Sequence, residues 1–170
     1  MTPATVYVSE CRWSEERPRV LVVACSDGRL QEASDDFLQN HLGIVDYDRL
    51  YAPGGPGALA SGGFEFLRSD SFQRECTFLV AAHGVEEVIL LFHGPAPPDG
   101  PAQATCADYM RKTPRLSPAQ IASQQQADAA DIVRAVFGRY VETGSVRVRV
   151  FRAEVLPDRR VRFVDLAPPA

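Results

Sequence analysis

The sequence predicts an α/β protein whose mainly parallel sheet has helices on both faces and one antiparallel edge strand. Short apolar runs typical of buried strands alternate with longer segments of helical spacing, and strands separated by helices form parallel sheets. The last two strand-like runs are separated only by PDRR, so they pair as a hairpin. With 170 residues, the chain is interpreted as one domain over 1–170, with 1–17 and 167–170 loosely held.

The first half of the chain contains three strands and two helices. RVLVVAC (19–25) is a β-branched apolar run that predicts a fully buried strand. QEASDDFLQNHLG (31–43) is a helix ended by a glycine, and YDRLYAPGG (47–55) is a short strand that runs into a turn. ASGGFEFLRSDSFQRECTFLVAAHG (60–84) is mostly helical, with a break expected near 69–71. EEVILLFHG (86–94) is the strongest strand.

The second half continues the alternation after a Pro/Gly-rich loop at 94–105. CADYMRK and the long segment 117–144 are helices, and Ser117 followed by Pro118 is a typical helix start. SVRVRVFRAEVL (145–156) is the fourth strand, and VRFVDL (161–166) is the antiparallel fifth. Alternation along the fourth strand places three arginines on its solvent side: Arg147, Arg149 and Arg152.

Composition excludes several classes of function. The net charge of −4 argues against a nucleic-acid partner held by bulk charge. The sequence shows no apolar run of about 18 residues and no signal-peptide pattern, so we expect no membrane partner and a cytoplasmic location. The four cysteines are widely spaced without a CxxC pair, which favours thiols or metal ligands over disulfides. They are Cys11, Cys25, Cys76 and Cys106.

The ends of the first three strands carry the residues that can bind a ligand or take part in a reaction. In parallel sheets, ligands bind beyond the carboxyl ends of the strands. These ends read ACSDGR, APGGPG and LFHGPAP. A thiol and an imidazole at one sheet edge favour a soft or borderline metal, most commonly zinc, and glycine N–H groups are possible anion contacts. The candidate site residues are Cys25, Asp27, Arg29, Gly54, Gly55 and His93.

CSDGR after a buried strand, then PGG, a helix and GVEEVILLFHG, resembles the β-class carbonic anhydrases over residues 18–95. That class has Cys-x-Asp-x-Arg after its first strand and His-x-x-Cys after its third. The resemblance implies Cys25 and His93 as zinc ligands, with Asp27 and Arg29 as a catalytic dyad in which the arginine holds the aspartate away from the metal. It also implies CO2 or a bicarbonate-like anion as the small-molecule partner, and a homodimer.

The sequence departs from this pattern at the second cysteine, where Ala96 stands. Two matched ligands fall short of the three that a catalytic zinc site usually has. We therefore expect a degenerate site, with weak or absent zinc binding and CO2 hydration. Cys106 is a possible substitute ligand, and Asp27 is another. All four groups together would make a closed site without a position for water.

Three functions stay open. The first is a zinc-dependent lyase of the carbonate dehydratase type with an altered ligand set. The second is a non-catalytic, metal-free descendant that binds a small anion with Arg29 and the glycine N–H groups. The third is a cysteine nucleophile, Cys25, activated by Arg29 or His93. Taken singly, Cys25 also fits a small buried hydrophobe, and the Asp27–Arg29 pair an ordinary salt bridge.

Overall fold

The five strands form one mixed sheet in the computed structural model, which describes residues 5–60 and 65–166. The strands are β1 (Val20–Cys25), β2 (Asp48–Ala52), β3 (Glu87–Pro95), β4 (Arg147–Val155) and β5 (Val161–Asp165). Their order across the sheet is β2-β1-β3-β4-β5. All neighbours are parallel except β4 and β5, which are antiparallel. The predicted fold class is confirmed.

Within residues 5–60 and 65–166, five α-helices connect or flank the strands. They are α1 (Gln31–Asp36), α2 (Phe66–His83), α3 (Ala107–Lys112), α4 (Pro118–Ala135) and α5 (Gly138–Glu142). A π-helical segment, Phe37–His41, extends α1. The start of α4 is as predicted, because Ser117 and Gln120 form a reciprocal capping box.

Two details of the helices differ from the sequence prediction. The break expected near 69–71 is absent, and α2 is continuous from Phe66 to His83. The Ser69 hydroxyl donates to the Phe66 carbonyl at 3.1 Å, one turn earlier, so this serine is accommodated within the helix. The long helix expected over 117–144 is instead two helices, α4 and α5.

Both faces of the sheet are covered, as predicted. The larger apolar cluster joins one face to α2, α4 and α5, and includes Val80, Ile121, Ile132 and Phe137. The other face packs on α1 and its π-helical extension through Phe37 and Leu38. The central strands β1 and β3 are therefore buried on both sides, and their carboxyl ends open at one edge between the two layers.

The prediction that Arg152 lies on the solvent side of β4 is wrong. Arg147 is exposed, but Arg152 is only 2% exposed. Successive residues of a strand face opposite sides, so Arg152 shares a face with Val150, which belongs to the larger apolar cluster. Its buried charge is balanced by Glu154, two residues along the same face.

The N-terminal segment 5–17 is exposed and forms no helix or strand. Residues 1–4 and 167–170, which we expect to be loosely held, lie outside the described residues. Across 5–60 and 65–166, the structure contains no helix that is both long and apolar enough to cross a membrane.

Candidate metal centre

Three potential metal ligands converge at the carboxyl edge of the sheet. Cys25 is the last residue of β1, His93 lies near the end of β3, and Cys106 directly precedes α3. Their ligand atoms all lie within 4.8 Å of one another. Within the described parts of the chain, this is the single cluster of three or more Cys, His, Asp or Glu side chains placed to share an ion.

The loop after β3 turns back and places Cys106 beside the end of β3. The Ala96 amide donates to the Val155 carbonyl at 3.0 Å, so the chain at position 96 is still bound to β4. The loop then turns, and the Gly100 amide donates to the Ala96 carbonyl at 2.6 Å. At the end of the loop, Ala104 lies against the His93 ring. Cys106 therefore lies beside His93, although the two residues are the ends of a long loop.

The His93 imidazole is oriented for metal binding. It is buried, and its Nδ1 lies 3.2 Å from the Ala104 carbonyl oxygen. A carbonyl only accepts, so Nδ1 carries a proton, and Nε2 is the ring nitrogen that a metal would bind. Nε2 is buried and has no hydrogen-bond partner among the described residues. An orphaned nitrogen of this kind, beside two sulfur atoms, suits a metal ligand.

The thiols of Cys25 and Cys106 interact, and their pKa values are shifted in opposite directions. A hydrogen bond from Cys106, the nearby His93 imidazole and the Gly54 N–H lower the pKa of Cys25 well below its usual value, although burial opposes this. The same hydrogen bond, together with burial, raises the pKa of Cys106. Cys25 is therefore the more acidic of the two thiols.

Asp27 and Arg29 form the pair predicted from their alternate positions. Arg29 donates from Nε to Asp27 Oδ1 at 2.9 Å and from Nη2 to Oδ2 at 2.5 Å. These hydrogen bonds lower the pKa of Asp27 to about 2. Arg29 also donates to the Gln103 carbonyl at 3.3 Å, which links the pair to the loop before Cys106. Held in this way, Asp27 is not among the three converging ligands.

We expect Arg29→Ala to destabilise the metal-free protein by about 1 kcal/mol at pH 7, because Asp27 loses both charge-assisted hydrogen bonds at a partly solvent-screened site. Arg147→Ala is the control, since Arg147 is exposed and lies 3.9 Å from Glu87. It should change stability by less than about 0.5 kcal/mol. Urea unfolding measures both, and equal losses would show that Arg29 has no special role.

Gly54 and Gly55 allow the loop after β2 to pack closely on β1. Both have positive φ, 88° and 53°. A Cβ at Gly55 would lie 2.6 Å from the Cys25 backbone nitrogen, and one at Gly54 would lie 2.3 Å from Asp108 Oδ2. The sequence suggests anion contacts for these two glycines. In the structure, the Gly54 N–H donates a hydrogen bond to the Cys25 sulfur.

Asp108 is a supporting residue that the sequence reasoning missed. It is buried at the start of α3, two residues after Cys106. Its Oδ1 accepts from Arg68 at 3.1 Å and from Arg111 at 2.8 Å, and Lys112 lies 3.0 Å from Oδ2. Arg68 also donates to the Pro53 carbonyl. The acidic residue with basic residues three and four positions later, in DYMRK, was the available signal.

Two of the cavities beside the Asp27–Arg29 pair are lined by both Asp27 and other residues of the strand ends. The smaller, about 50 Å³, is lined by Cys25, Asp27 and Tyr51 among others, so it has room for a reactant of only a few atoms. The larger, about 180 Å³, lies against Arg29 and Arg159.

Several solved structures are similar to this chain at low sequence identity. No family model and no curated protein matches the sequence. The β-carbonic anhydrase CafA of Aspergillus fumigatus is a similar solved structure, with 16% identity over 91% of this chain and 78% of that chain, at a TM-score of 0.49. Wild-type CafD from the same fungus has 9% identity over 93% of this chain and 94% of that chain, at 0.48. Carbonic anhydrase from Streptococcus mutans has 18% identity over 88% and 82%, at 0.44. These three solved structures are carbonic anhydrases, and CafA and CafD are of the β class.

Proposed function

We propose that this protein is a zinc-dependent lyase of the carbonic anhydrase type, with an altered ligand set, acting on CO2 or a comparably small electrophile. The observation that carries the proposal is the convergence of Cys25, His93 and Cys106 within 4.8 Å. Two thiolates and one imidazole are a donor set that zinc accepts. Three protein donors leave the fourth tetrahedral position for water, as in other catalytic zinc sites.

The residues present fit zinc in their chemistry as well as their number. His93 offers a buried nitrogen without a hydrogen-bond partner among the described residues. Cys25 is a partly buried thiol with a lowered pKa, so it loses its proton readily to become the thiolate that a metal binds. Cys106 would lose its proton on binding, since zinc binds the thiolate.

Zinc, when bound, lowers the pKa of its water to about 7 and so makes hydroxide available at neutral pH. The chain supplies the surroundings for that chemistry. The Ala104 carbonyl holds the His93 tautomer, and Arg29 holds Asp27 beside the site. The cavity of about 50 Å³ beside Cys25 limits the reactant to a small molecule.

The role of Cys106 changes the expectation drawn from Ala96. Weak zinc binding is expected from the sequence because only two ligands match the family pattern. With Cys106 beside Cys25 and His93, the number of donors is three, and the reason to expect loss of zinc no longer applies. The homodimer implied by the resemblance is part of the proposal, and light scattering on the purified protein measures it.

The test uses full-length protein purified without a histidine tag or chelator. We expect about one zinc per chain by elemental analysis, and CO2 hydration in stopped-flow measurements with a pH indicator. Removal of the metal with a strong chelator should abolish hydration, and added zinc should restore it. A folded protein that neither contains nor takes up zinc, and does not hydrate CO2, would contradict the proposal.

The metal-free anion-binding protein remains the second candidate because of the larger cavity. Arg29 and Arg159 both line this space of about 180 Å³, and paired guanidinium groups suit a carboxylate or bicarbonate. Titration calorimetry of chelator-treated protein with bicarbonate distinguishes the two functions. Binding that is lost in Arg159→Ala, in a protein without zinc uptake, would favour this candidate.

A further inference from the structure

A buried polar network lies against the end of β3 that carries His93. Its side chains come from α4 and β4 and are almost wholly enclosed: Gln125 is 1% exposed, Arg152 2% and Glu154 5%. Side chains of this polarity are seldom buried so completely unless they are hydrogen-bonded or paired. The groups that they bind therefore indicate their role.

The network holds two backbone carbonyls of β3. Gln125 donates from Nε2 to the His93 carbonyl oxygen at 3.0 Å, and Arg152 donates from Nη2 to the Pro95 carbonyl oxygen at 3.1 Å. The two side chains are themselves joined, because Arg152 Nε donates to Gln125 Oε1 at 2.8 Å. Glu154 balances the charge of Arg152. His93, whose imidazole faces the two cysteines, is thus also held by a hydrogen bond to its backbone carbonyl.

These carbonyls take side-chain partners because β3 extends past its neighbour. The pairing of β1 with β3 ends at Ala24 and Leu91, whereas β4 continues beside β3 as far as Pro95. A buried carbonyl without a partner is costly. Over the last residues of β3, Gln125 and Arg152 supply the hydrogen bonds that a longer β1 would have supplied.

Gly94 provides the space for this arrangement. A Cβ at position 94 would lie 2.3 Å from Arg152 Nη2. The guanidinium therefore lies against β3 at a position without a side chain, between the two carbonyls that the network binds.

We propose that Gln125 and Arg152 are positioning residues for His93, fixing the backbone from which its imidazole meets Cys25 and Cys106. This inference rests on the proposed function, since it requires that His93 bind a metal. Buried ion pairs such as Arg152–Glu154 often add little net stability, whereas residues that support a metal ligand alter metal affinity by about 10–100-fold. Loss of a network side chain should therefore lower the metal affinity of the folded protein, in addition to any cost in stability.

The test compares metal binding by wild-type protein and two variants of Gln125. Gln125→Met keeps the length of the side chain and removes its hydrogen bonds. Gln125→Glu keeps an acceptor for Arg152 and replaces the donor to His93 with a carboxylate oxygen, at the expense of an added negative charge beside Arg152, so it covers the case in which the Met variant does not fold. We expect the zinc dissociation constant of each folded variant to rise by about 10–100-fold in competition with a chromophoric chelator.

Cobalt substitution gives a readout that a purely structural role would not change. The visible bands of bound Co²⁺ depend on ligand geometry, so they should shift in both variants, while thermal unfolding of the metal-free proteins reports separately on the fold. Gln124→Met is the matched control, because Gln124 is the preceding residue of α4 and is exposed. It should leave zinc affinity and the cobalt spectrum unchanged.

The outcomes separate this inference from the proposed function. Wild-type zinc affinity and an unchanged cobalt spectrum in the folded Gln125 variants would overturn the inference alone. A wild-type protein that binds neither zinc nor cobalt would overturn both.

Discussion

Replacement of Cys106 by alanine should lower zinc affinity by roughly 100-fold or more, because a catalytic zinc site usually needs three protein donors and only two would remain. CO2 hydration should fall with zinc occupancy. Cys106 is 2% exposed, and its sulfur lies within 4.8 Å of the other two ligand atoms. Zinc content after dialysis against a weak chelator, measured per chain, gives the result directly.

Cys76→Ala is the matched control for this prediction. Cys76 is also a buried free cysteine, but it packs in the larger apolar cluster on α2, and burial raises its pKa to about 12. Its replacement leaves a small cavity and should cost about 1 kcal/mol of stability without loss of zinc. Equal zinc content in the two variants would show that Cys106 is not a ligand.

Gly55→Ala should destabilise the protein by roughly 3 kcal/mol or more, because the new methyl group meets backbone atoms that cannot move independently. The Cβ would lie 2.6 Å from the Cys25 nitrogen and 2.9 Å from the Ala24 carbonyl carbon. The backbone φ of 53° adds strain for any residue with a side chain. Urea unfolding of the metal-free protein measures the loss.

Gly144→Ala separates the crowding from the backbone strain. Gly144 has a similar φ of 68°, but a Cβ there would meet nothing within 4 Å. The expected loss is about 1 kcal/mol, from the left-handed conformation alone. If the two variants lose the same free energy of unfolding, the close packing of Gly55 on β1 does not contribute to stability.

The strands and the edge that they share were predictable because their signals are local. Five short apolar runs, with helical spacing between the first four, specify the sheet, and the order of the motif residues places Cys25 and His93 at the same edge. The Asp27–Arg29 pair also follows from local spacing, since the two residues are two positions apart.

The features that were missed depend on contacts between distant segments. The strand pattern predicts a solvent-facing Arg152 because a charged residue in an alternating strand is usually exposed, whereas its partner Gln125 lies 27 residues away on α4. The sequence identifies Cys106 only as a possible ligand. Its position depends on how the loop 96–105 turns back against His93, and the sequence of the loop shows only that it is rich in proline and glycine.

The position of Cys106 also bears on how a metal would stabilise the chain. A ligand at position 96 would stay on the sheet, whereas Cys106 lies at the far end of a loop that starts there. An ion held by His93 and Cys106 closes a ring of the polypeptide and so holds the loop between them in its folded conformation. Zinc would then act as a structural cross-link as well as the catalytic metal. Amide hydrogen exchange across residues 96–106 should slow when zinc is added, while exchange in the centre of the sheet changes little.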